Sequence, residues 1–142
     1  MKQEIARRWV EALRSGKYQQ TSGTLARKDP VTGTVGYCCL GVLCEIAVED
    51  QVIPPKFEAD GLLGETGRYV FGNDTAIPST EVMTWAGETE AWTVSVPDEI
   101  EKRLNDADSG AVYGRAGLPS LNDDAGLTFP EIADLIEAEY LS

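Results

Sequence analysis

The residues best suited to covalent chemistry are Cys38, Cys39 and Cys44, all within one apolar run, Gly36-Tyr37-Cys38-Cys39-Leu40-Gly41-Val42-Leu43-Cys44. A thiolate is a nucleophile and a soft metal ligand, and the N-terminus of a helix lowers a thiol pKa. Cys38 or Cys39 would sit at such a terminus if the run turns there from strand into helix. The chain has no histidine, which removes the commonest general base and the commonest metal ligand together. A Ser-His-Asp or Cys-His arrangement is therefore excluded within it. Zinc is not expected either, because Cys38 and Cys39 are adjacent rather than spaced as metal ligands. A cysteine-dependent enzyme would rest on Cys38 and Cys39 alone. The expectation is instead that the thiols pack as small apolar groups. Strand alternation would turn one of that pair inward and the other outward.

A second constellation is cationic and aromatic. Arg7, Arg8 and Arg14, with Lys17, would supply phosphate contacts at a pocket rim, although surface ion pairs explain such residues equally well. Tyr18, Tyr37 and Trp85, joined by Tyr69, Trp9 and Trp92, would form a stacking wall of the kind that lines small-ligand sites. Trp9 falls on the apolar face of its helix and is expected in the core. Two acidic stretches, Asn105 to Gly110 and Asn122 to Gly126, resemble calcium ligands but do not fit the twelve-residue loop. Turn chemistry accounts for both. There is no phosphate loop and no dinucleotide fingerprint, so neither a cofactor nor a metal is expected.

These residues must be positioned by one domain, since the 142 residues show no repeat or dividing linker. The first helix is marked by Ile5, Trp9, Val10 and Leu13 at helical spacing and is closed by Ser15-Gly16. A hairpin follows, with Thr24 to Arg27 and Thr34 to Tyr37 flanking the turn Asp29 to Gly33. The cysteine run then becomes a buried helix ending near Glu49-Asp50. Gly41 within it costs about 1 kcal/mol relative to alanine, which suggests that another backbone packs closely there. Residues 51 to 78 are loop-rich, with one short strand at Arg68 to Phe71. Pro78 to Glu81 opens a short helix closed by Gly87, Ala91 to Val96 alternates as a strand, and Pro97-Asp98-Glu99 starts another helix carrying Ile100 and Leu104. Thr128-Phe129-Pro130-Glu131 is a capping box for the last helix. The expected fold is a single α+β domain spanning 1–142. Its N- and C-terminal helices and buried cysteine-bearing helix pack with a hairpin and short further strands.

The net charge of −12 is uneven: residues 1 to 30 carry +4 and the remainder −16. An acidic surface favours solubility and repels nucleic acid phosphate, so direct DNA binding is not expected. It suits a basic partner, such as a protein that itself binds nucleic acid. No apolar run approaches the roughly 20 residues of a membrane span, and the start, Met1-Lys2-Gln3-Glu4, leads into an amphipathic helix rather than a signal peptide. A cytoplasmic protein is expected, with monomer and homodimer both left open.

Several segments together carry a family resemblance: Trp9 to Gln20, Gly36 to Cys44, more loosely Ile77-Pro78 with Val82 and Trp85-Ala86-Gly87, then Leu121-Asn122-Asp123, Gly126 and Thr128 to Glu137. In order and spacing they resemble small proteins encoded by tailed bacteriophages and prophages, notably mycobacteriophages and other actinobacterial phages. The likeness covers about half the chain, and the stretches near 49–77 and 88–117 depart from it. It implies an accessory protein acting in the host bacterial cytoplasm and brings no catalytic or binding residue with it. With the missing histidine and the acidic surface, the expected function is non-enzymatic binding and modulation of a host component. The alternative is a small-ligand module holding or sequestering a nucleotide-type, phosphorylated ligand, with Arg7, Arg8, Arg14, Tyr18, Tyr37 and Trp85 as its residues.

Overall fold

In the computed structural model, which describes residues 1–58, 67–72, 74–89, 92–107 and 114–141, α1 spans Gln3–Arg14 and buries Ile5, Ala6, Trp9, Val10 and Leu13 along one stripe. Gly16 follows at φ 75°, a left-handed conformation that glycine adopts without a Cβ clash. The expected hairpin forms from β2 (Ala26–Lys28) and β3 (Val35–Tyr37), antiparallel with Arg27 opposite Gly36. At its tip the Asp29 carboxylate accepts from the Val31 and Thr32 amides at 2.8 and 3.3 Å, the local bonding that favours aspartate in turns. A strand the sequence did not announce, β1 (Gln19–Gln20), lies parallel to β3 and completes the order β1-β3-β2.

The chain then enters α2 (Cys39–Glu49), which buries eight of its eleven residues. Beyond it come β4 (Phe57–Glu58), unexpected from the sequence, and its antiparallel partner β5 (Tyr69–Val70). A bridge between Arg27 and Arg68 joins this pair to the β2 edge. The helix α3 (Thr80–Ala86) starts where the Ser79 side chain accepts the Val82 amide and stops at Gly87, φ 72°. The expected strand is β6 (Thr93–Ser95), followed by α4 (Asp98–Asp106). The start of that strand pattern, Ala91, lies outside the described residues, as do 108–110 of the first acidic stretch. Trp92 sits at φ 62°, rare for a residue with a side chain and costing about 1–3 kcal/mol. Its carbonyl accepts the Leu118 amide at 2.8 Å, and its ring meets Trp9 edge-on at 6.5 Å.

The chain closes with β7 (Arg115–Gly117), paired antiparallel to β6, then α5 (Leu118–Asp123) and α6 (Phe129–Tyr140). The capping box forms as expected: Thr128 accepts the Glu131 amide and Glu131 accepts the Thr128 amide, an arrangement worth about 1 kcal/mol. α1 packs chiefly along α6 and also against α2. The protein is a single α+β domain with its terminal helices together and the cysteine-bearing helix in the core.

Two expectations are corrected. Cys38 and Cys39 do not alternate in and out: both are buried, at 5% and 0% exposure. The strand ends at Tyr37, so Cys38 is the residue before the helix and Cys39 its first turn, where alternation no longer applies. The second acidic stretch is not only a turn, because Asn122 and Asp123 end a short helix and Asn122 is buried. Likewise Asn105 and Asp106 belong to α4.

Candidate functional site

The backbone of Cys38 and Cys39, at the start of α2, is tied to distant parts of the chain. The Cys38 amide donates to the Leu25 carbonyl at 3.1 Å, and the Cys39 amide donates to Asn122 Oδ1 at 3.3 Å. The Cys39 carbonyl accepts from Trp9 Nε1 at 2.8 Å, while its thiol faces the Leu118 carbonyl at 3.8 Å. A Cβ at Gly41 would land on the Leu25 carbonyl, so the close backbone approach suggested by that glycine is real. The placement that activates a thiol, a helix N-terminus, is therefore present. Burial outweighs it. Desolvation pushes the Cys38 thiol up to about 11, against smaller opposing contributions from the Gly41 and Leu40 amides. Burial likewise raises Cys39 and Cys44. At neutral pH all three are protonated thiols, poor nucleophiles and poor metal ligands.

Asn122 holds this hub to the rest of the chain. Its Oδ1 also accepts from Gln20 Nε2 at 2.9 Å, and its Nδ2 donates to the Thr21 carbonyl and to Asp123 Oδ1, each at 2.8 Å. Gln20 in turn donates to the Leu127 carbonyl at 2.8 Å and accepts the Phe129 amide at 3.1 Å. One asparagine and one glutamine thus connect β1, the start of α2, α5 and the start of α6. A buried amide satisfies its donors and acceptors by bridging elements in this way. The only sequence signal for it was Asn122, which the acidic stretch disguised as a turn residue.

The cationic and aromatic residues divide between the sides of α1. Arg8 donates to Asp50 at 2.8 Å and to Glu49 at 3.5 Å. Its hydrogen bond holds Asp50 below the usual carboxylate range, with Trp85 adding to the effect. Arg14 instead reaches α6, donating to Asp134 at 2.6 Å and Glu137 at 3.0 Å. Arg7 lines a shallow depression on that same side with Glu137 and Leu141. Arg7 and Arg14 are thereby separated from the groove between α1 and α2, a space of about 290 Å³ lined by Arg8, Lys17, Tyr18 and Glu49 among others.

Tyr18 leads from that groove to a row of tyrosines. Its ring meets Tyr37 edge-on at 5.2 Å, and Lys17 Nζ lies 5.4 Å from its centre. Beyond Tyr37 stands Lys56, whose Nζ lies 5.4 Å from the ring centres of both Tyr37 and Tyr69. Glu45, on α2, accepts from Lys56 at 3.3 Å. Burial lowers the Lys56 pKa, but the Tyr37 hydroxyl and the Glu45 charge more than compensate, so it is raised on balance. Arg8, Tyr18, Tyr37 and Trp85 are therefore linked through neighbouring contacts. Lys56 and Glu45 are members that the sequence did not single out. Pro54-Pro55 before Lys56 reads only as a loop, and nothing in that stretch shows that the ammonium turns back onto tyrosines.

No cluster of three or more metal-ligating side chains occurs among the described residues. No helix among them is long and apolar enough to cross a membrane. A family described as a domain of unknown function, DUF8296, matches residues 1–140. The chain belongs to that family. No curated protein and no solved structure matches it, so the family assignment brings a fold-length relationship and no chemistry.

Proposed function

We propose that this protein is a non-enzymatic accessory factor of a tailed phage or prophage, acting in the bacterial cytoplasm by binding a basic host protein through its acidic surface. The observation that carries this reading is how the charges are distributed. Among the described residues, Arg8, Arg14, Lys56 and Arg115 are engaged by carboxylates of other elements. Glu4, Glu81, Asp98 and Glu99 meanwhile stand exposed on three helices. An excess of outward carboxylates steers a cationic partner and sets its orientation. The protonated, buried thiols favour a binding role over a catalytic one. A host protein that binds nucleic acid fits best, since its phosphate-binding surface is basic.

The test is capture of host proteins by immobilised protein at moderate salt, repeated with Asp98→Asn, Glu99→Gln and Glu101→Gln combined. The proposal expects a partner that is lost from the variant and from wild type as salt rises. Recovery of nothing from lysate, or binding indifferent to both changes, would overturn it.

A second reading is favoured by the α1–α2 groove, where Arg8 and Lys17 flank Tyr18. That arrangement suits a small phosphorylated ligand of nucleotide type. Mass spectrometry of molecules released on denaturation, with thermal shifts across a nucleotide panel, would detect it. An empty protein with no shift would eliminate it.

A further inference from the structure

The Lys56 ammonium stands among two tyrosine rings, the Tyr37 hydroxyl and one carboxylate. Tyr37 and Tyr69 place their rings at equal distance from Nζ, 5.4 Å, and Glu45 closes a third side at 3.3 Å. Tyr18 meets the Tyr37 ring in an edge contact at 5.2 Å. Aromatic faces attract cations through the ring quadrupole, and several faces around one point make the arrangement that recognises alkylated ammonium groups. A quaternary head group suits such walls better than a primary ammonium, because it surrenders less hydration on entering.

The present occupant is held by its side chain alone. The backbone on either side of Lys56 is fixed without help from its ammonium: Ile53 is buried, and Phe57–Glu58 pairs with β5, the strand that carries Tyr69. The four-carbon stem of a lysine can therefore swing outward without moving the chain. Holding that stem in one conformation costs rotamer entropy that offsets much of what the box returns. The box also faces solvent, with the Lys56 and Glu45 side chains each about one-fifth exposed.

We propose that the Tyr37–Tyr69–Glu45 box is a binding site for a quaternary alkylammonium group, closed in the free protein by Lys56 acting as an internal competitor. The shared chemistry is a methylated ammonium, presented by a small free cation or by a methylated lysine of a peptide. The site is separate from the acidic face invoked above and does not depend on it. An internal competitor weakens an external ligand by the fraction of time the box is closed.

Its removal is the test. Tyrosine ring resonances are followed by NMR during titration with tetramethylammonium chloride, against sodium chloride at equal ionic strength, for wild type and Lys56→Ala. A trimethyllysine peptide and its unmethylated counterpart form the second arm. The expected result is about tenfold tighter binding by Lys56→Ala, with shifts centred on Tyr37 and Tyr69. Tighter binding of the free cation alone assigns the site to small molecules, whereas a preference for the methylated peptide assigns it to a modified lysine. Tyr69→Leu in the Lys56→Ala background should abolish the response. A folded Lys56→Ala protein that gives no specific shifts, or a response that survives Tyr69→Leu, overturns the proposal. Lys56→Met, which keeps the stem's packing, serves if the alanine variant does not fold.

Discussion

Replacing Gly41 by alanine should destabilise the protein, although in an isolated helix the change would be favourable. Alanine gains about 1 kcal/mol over glycine in a helix interior. Here the new methyl would land on the Leu25 carbonyl, a backbone atom that cannot swing aside as a side-chain tip can. Overpacking of this kind costs roughly 1–3 kcal/mol. The same carbonyl accepts the Cys38 amide at 3.1 Å, so pushing it away forfeits about 1 kcal/mol more. The balance is a loss of about 2 kcal/mol once the propensity gain is subtracted. For a domain of this size that lowers Tm by roughly 5–10 °C. Urea denaturation followed by circular dichroism measures it as a lower midpoint with an unchanged slope. A Gly41→Ala protein as stable as wild type, or more so, would refute the reasoning that this glycine exists for close backbone packing.

Asn122→Ala should lower stability by about 2 kcal/mol, because it removes the partner of the buried Cys39 amide and of the partly buried Thr21 carbonyl; Asn122→Asp, which keeps an acceptor but loses the donor, should not fully rescue it in chemical denaturation. Stability should also fall on the alkaline side. Folding raises the Cys38 thiol from 9.0 to about 11, so its contribution is complete below pH 9 and is lost as pH rises toward 11. The slope approaches 1.4 kcal/mol per pH unit, and denaturation curves between pH 8 and 11 should show it shallower in Cys38→Ala than in wild type.

The helices other than α5 were legible because their signals are local, whereas α5 was hidden by an Asn122-Asp123 end that reads as turn chemistry. The apolar stripe of α1, the Gly16 and Gly87 stops and the Thr128 capping box each follow from a few neighbouring residues. β1, β4 and β7 were not legible: each is two or three residues long and exists through its partner rather than through its own pattern. The Cys38-Cys39 pair was read by strand alternation one residue too far, since the switch to helix at Cys39 places both thiols in the core. Within the candidate site, tyrosines 18, 37 and 69 and Arg8 stood out by type. Lys56, Glu45 and Gln20 did not, because their roles depend on long-range contacts between elements far apart in sequence.

The cysteine run is a structural hub rather than a reactive site, its three thiols buried in the core. The direct measurement is iodoacetamide labelling of the native protein near neutral pH, quantified by mass spectrometry at Cys38, Cys39 and Cys44 and compared with labelling in denaturant. Buried thiols should show essentially no modification in the native protein and full modification of all three once unfolded. Rapid, selective alkylation of Cys38 or Cys39 in the folded protein would contradict it.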